Sequence, residues 1–251
     1  MLLFKIVLAP VLIGLVSLAG RKWGPGIAGW LLGLPLNAGP ILVFLVLEQG
    51  RGFASTAAVG SLLGIIPWSA FTLIYALSCP RLRWWQSMLV GWAGYSLVAL
   101  LVLQIHLLVG WAYALVAVTL ATILLLFPRP AQSGAAAPRR KYELWLRMII
   151  AAGMVVTLTG VARALGPTRS GFLSAFPAYT TILAVFNHQQ SAAAAVKVLR
   201  GVTMGLYTAA TFFLVLSTAL MRTSAVLSFT LAIVAAGVVQ TGSLVFVRRS
   251  S

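Results

Sequence analysis

Long apolar runs dominate this chain, and short polar or basic stretches separate them. Most of the runs extend for about twenty residues, the length that an α-helix needs to cross the hydrocarbon core of a bilayer. They lack the alternation and the regular turns of barrel strands, so the pattern favours helices. The chain is therefore predicted to be an all-α, polytopic integral membrane protein. Its nine predicted spans are 2–19, 27–47, 53–78, 86–103, 107–127, 144–165, 172–187, 192–220 and 225–247.

Composition leads to the same fold class. The chain has 251 residues, of which 61% are hydrophobic and 8% charged, and its mean hydropathy is +1.03. A water-soluble fold of this composition would have too little polar surface to cover itself, so lipid has to solvate it. The helix count is least certain at 86–127, where the fourth and fifth predicted spans divide one apolar stretch at Gln104-Ile105-His106.

The charge is strongly basic, with 18 Lys and Arg against 2 Asp and Glu. In a soluble protein such a balance would indicate nucleic-acid binding. Here the basic residues lie mostly in short connections between apolar runs, where they contact lipid headgroups. We therefore expect membrane lipid as a partner and no nucleic acid.

The distribution of these basic residues predicts the orientation. With the N-terminus outside, the outer side receives Lys5, Arg51, Arg163, Arg169 and Arg222. Cytoplasmic connections carry the excess of Lys and Arg, so the prediction is N-terminus outside and C-terminus cytoplasmic, in a bacterial plasma (inner) membrane. The inner side then receives Arg21, Lys22, Arg81, Arg83, Arg129, Arg139, Arg140, Lys141, Arg147, Lys197, Arg200, Arg248 and Arg249.

The longest connection, residues 128–143, is rich in Pro, Gly and Ala and holds the basic run Arg139-Arg140-Lys141. It is predicted to be a flexible cytoplasmic linker between an N-terminal transmembrane repeat, 1–127, and a C-terminal one, 144–251. Contact with anionic lipid is the favoured interpretation of the basic run, and docking of a protein partner is the alternative.

The two halves resemble each other at an offset of 142 residues, which becomes 141 after one deleted residue. Gly and Pro carry the match, and these residues fix backbone shape. Coincidence between Leu- and Ala-rich segments would not reproduce their spacing. The pairs include Arg21/Arg163, Gly24/Gly166, Pro25/Pro167, Gly29/Gly171, Pro35/Pro177, Phe44/Phe186, Gln49/Gln190, Gly60/Gly201, Gly64/Gly205 and Phe71/Phe212.

The repeat suggests a transport mechanism. Five predicted helices precede the second copy, so it enters the membrane from the opposite face, and the repeat is inverted. Secondary transporters use such repeats because the two halves give related conformations open to opposite sides. The inversion depends on an odd helix count, and a single crossing at 86–127 would make the copies parallel.

Each half has a helix that Pro should interrupt near the middle of the membrane. Freed backbone groups at that depth must face protein or a polar cavity, so paired interruptions indicate a central binding site. Helix packing alone is the alternative interpretation. The candidate substrate-binding residues are Pro35, Asn37, Gly39, Pro40, Pro177, Tyr179, Thr180 and Thr181.

Other polar residues lie near the ends of the same helices. Glu48, Gln49, His188 and Gln190 are candidate coupling groups, since a carboxylate and an imidazole carry protons best. Solvation at the membrane interface is the simpler interpretation of each. Lys197 and Arg200 share one helix face: snorkelling is their favoured role, and contact with an anionic solute is the alternative.

The sequence gives little support to catalysis. It has a single cysteine, Cys79, and two histidines, no nucleotide-binding loop, and no paired carboxylates. We expect no enzyme activity, no cofactor and no metal site. The leading hypothesis is a small secondary transporter or permease for an unknown small-molecule solute, for which an anion is the candidate and a homodimer is compatible with the small size. A non-transporting scaffold or lipid-handling subunit is the alternative.

Overall fold

The computed structural model describes residues 2–35, 38–105, 107–128, 144–154, 157 and 176–249. Every regular element within these residues is an α-helix, which confirms the all-α class. The helices are α1 Leu2–Trp23, α2 Pro25–Leu32, α3 Ala38–Leu63, α4 Ile65–Ser78, α5 Trp84–Val102, α6 Val109–Leu126, α7 Leu144–Met154, α8 Ala178–His188, α9 Ala192–Leu220 and α10 Ala225–Arg249.

Several of these helices are long and apolar enough to cross a membrane, as expected of a multi-pass membrane protein. Five stretches qualify among the described residues: Ala38–Ser78, Trp84–Val102, Val109–Leu126, Ala192–Leu220 and Ala225–Leu244. The nine predicted spans are therefore not all present as separate long helices. The fourth and fifth are separate, because α5 ends at Val102 and α6 begins at Val109; most of the linker and the second half of the sixth span lie outside the described residues.

The second predicted span, 27–47, is interrupted as its prolines indicated, because α2 ends at Leu32 and α3 begins at Ala38. A second break lies between the predicted end at residue 47 and the predicted start at residue 53. There α3 consists of two helices that meet at Gly50, whose φ is +86°. Only a residue without Cβ adopts that backbone easily, so the glycine separates the two helices.

Helix α9 is the centre of the bundle. It packs against α2, α3, α4, α6, α8 and α10. Within its most apolar stretch 72% of the positions are buried, against 22% in α6 and 22% in α10. Because lipid is as apolar as a protein core, hydropathy alone does not separate a central helix from a peripheral one.

Glycines allow α2 and α9 to pack backbone against backbone. A Cβ at Gly29 would overlap the backbone of Val198, and one at Gly201 would overlap the carbonyl oxygen of Gly26. A Cβ on either Gly33 or Gly205 would overlap the other residue. Small residues three apart or four apart are the usual basis of such close contacts between membrane helices. Residue numbers rise together along the two helices, so α2 and α9 are parallel.

In contrast, α9 runs antiparallel to α4 and to the part of α3 that follows Gly50. Arg51 Nη1 donates to the carbonyl oxygen of Thr223 at 2.8 Å, and Ser55 Oγ donates to the carbonyl oxygen of Ser217 at 2.8 Å. Further along, the hydroxyl oxygens of Thr72 and Thr203 are 2.8 Å apart. The last contact joins Cys79 Sγ to the carbonyl oxygen of Ala192 at 3.7 Å.

These contacts define two ends of the bundle. We call the end with Cys79 and Ala192 the basic end, and the end with Arg51 and Thr223 the opposite end. Helices α4 and α8 finish at the basic end, where α5 and α9 begin, and a cavity lined by Arg21, Arg147 and Asn187 lies there too. The described cations at the basic end are Arg21, Lys22, Arg81, Arg83, Arg147, Lys197 and Arg200.

Candidate functional site

The first interrupted segment lies between α2 and α3. The chain tightens at the end of α2, where the Gly33 and Leu34 amides donate to Trp30 and Leu31 carbonyls at 3.3 and 3.2 Å. It re-enters a helix when the Gly39 amide donates to the Pro35 carbonyl at 2.8 Å. Of the predicted site residues, Pro35, Gly39 and Pro40 are half-buried, and Gly39 faces the ring of Phe212. Asn37 lies outside the described residues.

The second interrupted segment is fully packed in the part that the structure describes. Helix α8 begins directly after Pro177. Thr180 and Thr181 are buried, and each hydroxyl accepts a hydrogen bond from an indole of the other half: Trp68 Nε1 at 3.0 Å and Trp92 Nε1 at 3.2 Å. Thr181 also donates to the Pro177 carbonyl at 2.9 Å. These bonds join α8 to α4 and α5.

Tyr179 packs against the main apolar core, so its side chain contributes to packing in this conformation. The two interrupted segments share a neighbour, since Gly39 lies beside Phe212 of α9 and α8 packs along α9. The predicted hydroxyls are therefore in the centre of the protein, yet they are engaged in bonds between helices. A solute would reach them only if α8 moved relative to α4 and α5.

The coupling candidates lie at different ends of the molecule. Glu48 and Gln49 are exposed next to the Gly50 kink, close to Arg51 and the opposite end. His188 is the last residue of α8 at the basic end, and Gln190 follows two residues later. The 29 residues of α9 separate these ends by roughly 40 Å at 1.5 Å per residue. Glu48 and His188 therefore do not form one proton-exchanging pair.

His188 has a local partner that the sequence did not suggest. Its Nδ1 lies 3.2 Å from the hydroxyl of Tyr75, and the two rings meet edge to face with centroids 5.7 Å apart. The same hydroxyl is 3.4 Å from the carbonyl oxygen of Trp84. This cluster connects the end of α8 to the turn between α4 and α5.

Lys197 and Arg200 are half-buried in the first turns of α9 at the basic end. The Nε atom of Arg200 is buried and has no hydrogen-bond partner among the described residues. The rest of the Arg200 side chain is partly exposed, so both interpretations of this residue, snorkelling and contact with an anion, stay predictions.

The structure adds a buried polar cluster at the end of α2. Trp30 Nε1 donates to Ser243 Oγ at 2.8 Å, and Gln240 Nε2 donates to the Trp30 carbonyl at 3.4 Å. Thr208 Oγ1 donates to Gln240 Oε1. The Trp30 carbonyl also accepts from the Gly33 amide at 3.3 Å, so Gln240 of α10 gives it a second donor from another helix. The available signal was an amide side chain within an otherwise apolar helix.

No protein-family model, curated protein or solved structure matches this chain. The interpretation of its site therefore depends on its own residues. Three properties have to be explained together: the interrupted segments, the antiparallel packing of residues 51–78 on α9, and the concentration of cations at one end.

Proposed function

We propose that this chain is a small secondary transporter whose two halves, 1–127 and 144–251, cross the membrane in opposite senses. The antiparallel packing of repeat counterparts is the observation that supports it. At the offset of 141 residues, the segment from Arg51 to Ser78 is the counterpart of α9. These same segments lie side by side and run in opposite directions, as the contacts of Ser55 and Thr72 with α9 indicate.

An in-plane two-fold axis would also relate the contacts at the two ends. Applying the offset to the Arg51 and Thr223 pair gives Ala192 and residue 82, and the observed partner of Ala192 is Cys79, three residues away. The Ser55 and Ser217 pair becomes Val196 and Ala76, which are buried in the same apolar cluster. Each end of the bundle thus has a contact between α9 or its next residues and the segment 51–79 that resembles the contact at the other end.

The first helices of the halves support the same arrangement. The repeat pairs α1 with α7. The last turns of α1 and the first turn of α7 meet at the basic end, where Arg147 Nη1 is 3.3 Å from Ser17 Oγ. One counterpart therefore ends where the other begins, as opposite threading requires. With the basic end cytoplasmic, the N-terminus would lie outside and the C-terminus inside a bacterial plasma membrane.

In this proposal the interrupted segments form the transport site, and the surplus of cations favours an anionic solute. The conformation described here is closed at Thr180 and Thr181. Transport would need the indole bonds from Trp68 and Trp92 to exchange for solute or water when α8 shifts. His188 with Tyr75 is then the coupling candidate nearest to α8, and Glu48 is too distant to act with it.

Alternating access can be tested without knowing the solute. We would introduce Thr180→Cys into a Cys79→Ser background and treat right-side-out and inverted vesicles with a membrane-impermeant maleimide. A transporter should label slowly from both sides, because the site opens to each in turn. Leu216→Cys, in the buried core of α9, should label from neither side, and Arg222→Cys from one side only. Labelling of Thr180→Cys from neither side would contradict the proposal.

One observation favours the alternative of a non-transporting scaffold or lipid-handling subunit. Both threonine hydroxyls are occupied by indole donors, as expected of polar groups that serve only packing. A scaffold would use the linker run Arg139–Lys141 as its contact surface. Deleting that run should abolish co-purification of a partner if the chain is a scaffold, and should leave the two-sided labelling of Thr180→Cys unchanged if it is a transporter.

A further inference from the structure

A face of α3 lined by small residues is open in the structure. We call the surface formed by Ala57, Gly60, Ser61 and Gly64 the glycine groove. Gly60 is exposed at its centre, and among the described residues no atom beyond the adjacent turns of its own helix lies within 4 Å of a Cβ built there. Small residues on a membrane helix let another helix approach closely, so the groove is suited to a packed helix.

The equivalent surface of the other half holds a helix. At the offset of 141 residues, the glycine groove corresponds to a surface of α9 formed by Val198, Gly201, Val202 and Gly205. Helix α2 covers this surface, with its backbone against that of α9 at Gly26, Gly29 and Gly33. One of the two equivalent grooves is therefore occupied, and its occupant is known.

The repeat identifies the counterpart of that occupant. At the offset of 142 residues, α2 and Gly33 correspond to residues 167–175, which lie outside the described residues. The three α2 glycines correspond to Thr168, Gly171 and Ala175. All three are small, as a close contact with the groove requires. The segment 167–175 thus has the pattern of small residues that α2 uses against α9.

The chain that follows this segment starts close to the glycine groove. Thr180 Oγ1 accepts from Trp68 Nε1 at 3.0 Å, and the Trp68 amide donates to the Gly64 carbonyl at 3.3 Å, one helical turn away. Residue 175 is five positions before Thr180, and an extended chain of that length spans up to about 17 Å. The end of the segment can therefore reach Gly64 without any movement of α8.

We propose that residues 167–175 of this chain dock in the glycine groove of α3. The proposal rests on the opposite threading of the two halves, because the in-plane axis of such a repeat converts the α2 and α9 contact into this one. A second copy of the chain is the alternative occupant. The segment is favoured because it is tethered beside the groove, which gives it a much higher effective concentration than a separate chain. Docking would hold the interruption before α8 against α3 as the interruption after α2 is held against α9.

Disulfide cross-linking tests the docking in the full-length chain. In a Cys79→Ser background with a protease site inserted after residue 134, Ser61→Cys is combined with Phe172→Cys. Ala57→Cys with Thr168→Cys is a second pair, which decides the result if the first variant does not fold. Membranes are oxidised with copper phenanthroline, the linker is cleaved, and non-reducing gels show whether the halves stay together. A disulfide needs Cα atoms within about 7 Å, so docking should join the halves in most chains.

Two further pairs control for reactivity. Thr72→Cys with Thr203→Cys should join the halves, because the two hydroxyl oxygens are 2.8 Å apart between α4 and α9. Leu97→Cys with Phe172→Cys should not, because Leu97 is exposed on α5. These pairs set the upper and lower limits of the disulfide yield.

Filling the groove gives a matched comparison. Gly60→Leu should lower the yield of the Ser61 and Phe172 disulfide by about fivefold or more, because the added side chain occupies the groove. Gly52→Leu places the same side chain at an equally open position of α3 and should leave the yield unchanged. Equal yields in the two variants would show that the segment does not use the groove.

The remaining outcomes are also decisive. Disulfides that join two chains, seen when singly substituted chains are mixed, would assign the groove to a second copy and overturn the proposal. Absence of both test disulfides while the Thr72 and Thr203 pair forms would overturn it too. Impermeant labelling of Arg21→Cys and Arg163→Cys measures the threading separately. Labelling of these two from opposite sides without the test disulfides would reject the docking and leave the transport proposal standing.

Discussion

At the residue scale, the single cysteine has an unusual environment. Cys79 is 2% exposed at the end of α4, and its Sγ donates to the carbonyl oxygen of Ala76 at 3.4 Å. Burial raises the pKa of this thiol to about 12. The thiolate is the reactive form, so Cys79 is almost entirely unreactive at neutral pH.

We predict that the native protein resists maleimide at pH 7.5 and reacts once it is denatured in SDS. Below the raised pKa the thiolate fraction increases tenfold with each pH unit, so any labelling of folded protein should rise steadily from pH 7 to pH 9. Gel-shift labelling with a polyethylene glycol maleimide measures both. An exposed Arg81→Cys in the same protein is the positive control. Rapid modification of folded wild-type protein at neutral pH would show that the thiol is not buried.

The hydroxyl of Thr180 gives a second prediction at this scale. Trp68→Phe and Thr180→Val each remove one side of the 3.0 Å bond, so each should lower the free energy of unfolding by about 1 kcal/mol. The double variant should lose less than the sum, because the bond can be lost only once. Thermal unfolding in detergent measures the cycle. Thr230→Val, on an exposed face of α10, combined with Trp68→Phe should be additive. Additivity in the Trp68 and Thr180 cycle would show that the bond contributes nothing.

The polar positions of α8 were predictable from the sequence, but their partners were not. Thr180 and Thr181 stand out because they follow Pro177 at the predicted depth of the membrane. Trp68 and Trp92 lie within apolar runs, and a tryptophan there looks like a packing or interfacial residue until another helix is placed beside it. Gln240 was missed for the same reason, since its partners, Thr208 and the Trp30 carbonyl, lie in other helices.

At the scale of helices, α2 and α9 pack closely because the glycines at their contact have no side chain. We predict that Gly201→Ala and Gly205→Ala each destabilise the protein by about 1–3 kcal/mol, because the added methyl would overlap backbone atoms of α2 that cannot rotate away. Gly237→Ala in α10 has open space around it and should be neutral or stabilising by up to about 1 kcal/mol from helix propensity. Unfolding temperatures in detergent compare the three, and equal temperatures would contradict the close contact.

The glycine and proline positions predicted where helices begin or are interrupted, but they did not predict the form of each interruption. The Gly24-Pro25 pair marks the start of α2, and Pro35 lies in the interruption before α3, as expected of residues that fix backbone shape. Gly50 separates the two helices of α3, and hydropathy treated α2 and the start of α3 as one span because both are apolar. Local sequence sets which backbone angles are allowed, and the packing against α9 decides which are used.

At the scale of the whole molecule, the sequence grouped the charges correctly with the helix ends. Residues predicted to share one side, such as Arg21, Arg81 and Arg147, lie at the basic end, and Arg51 and Arg222 lie at the other. The grouping was predictable because each crossing reverses the direction of the chain. The central position of α9 and the cavity at Arg147 were not predictable, because both depend on which apolar helix faces pack together. A face that contacts lipid is as apolar as a face that packs in the core, so hydropathy does not distinguish them.

The remaining prediction concerns the threading of the two halves. Arg21→Cys and Arg163→Cys occupy equivalent positions in the repeat, so opposite threading requires an impermeant maleimide to label them from opposite sides of the membrane. Arg81→Cys should follow Arg21→Cys, because both lie at the basic end, and Arg222→Cys should label from the other side. The buried Cys79 gives no background. Labelling of Arg21→Cys and Arg163→Cys from the same side would leave a multi-pass protein but would remove the basis of the transporter proposal, since that proposal depends on the opposite threading of the two halves.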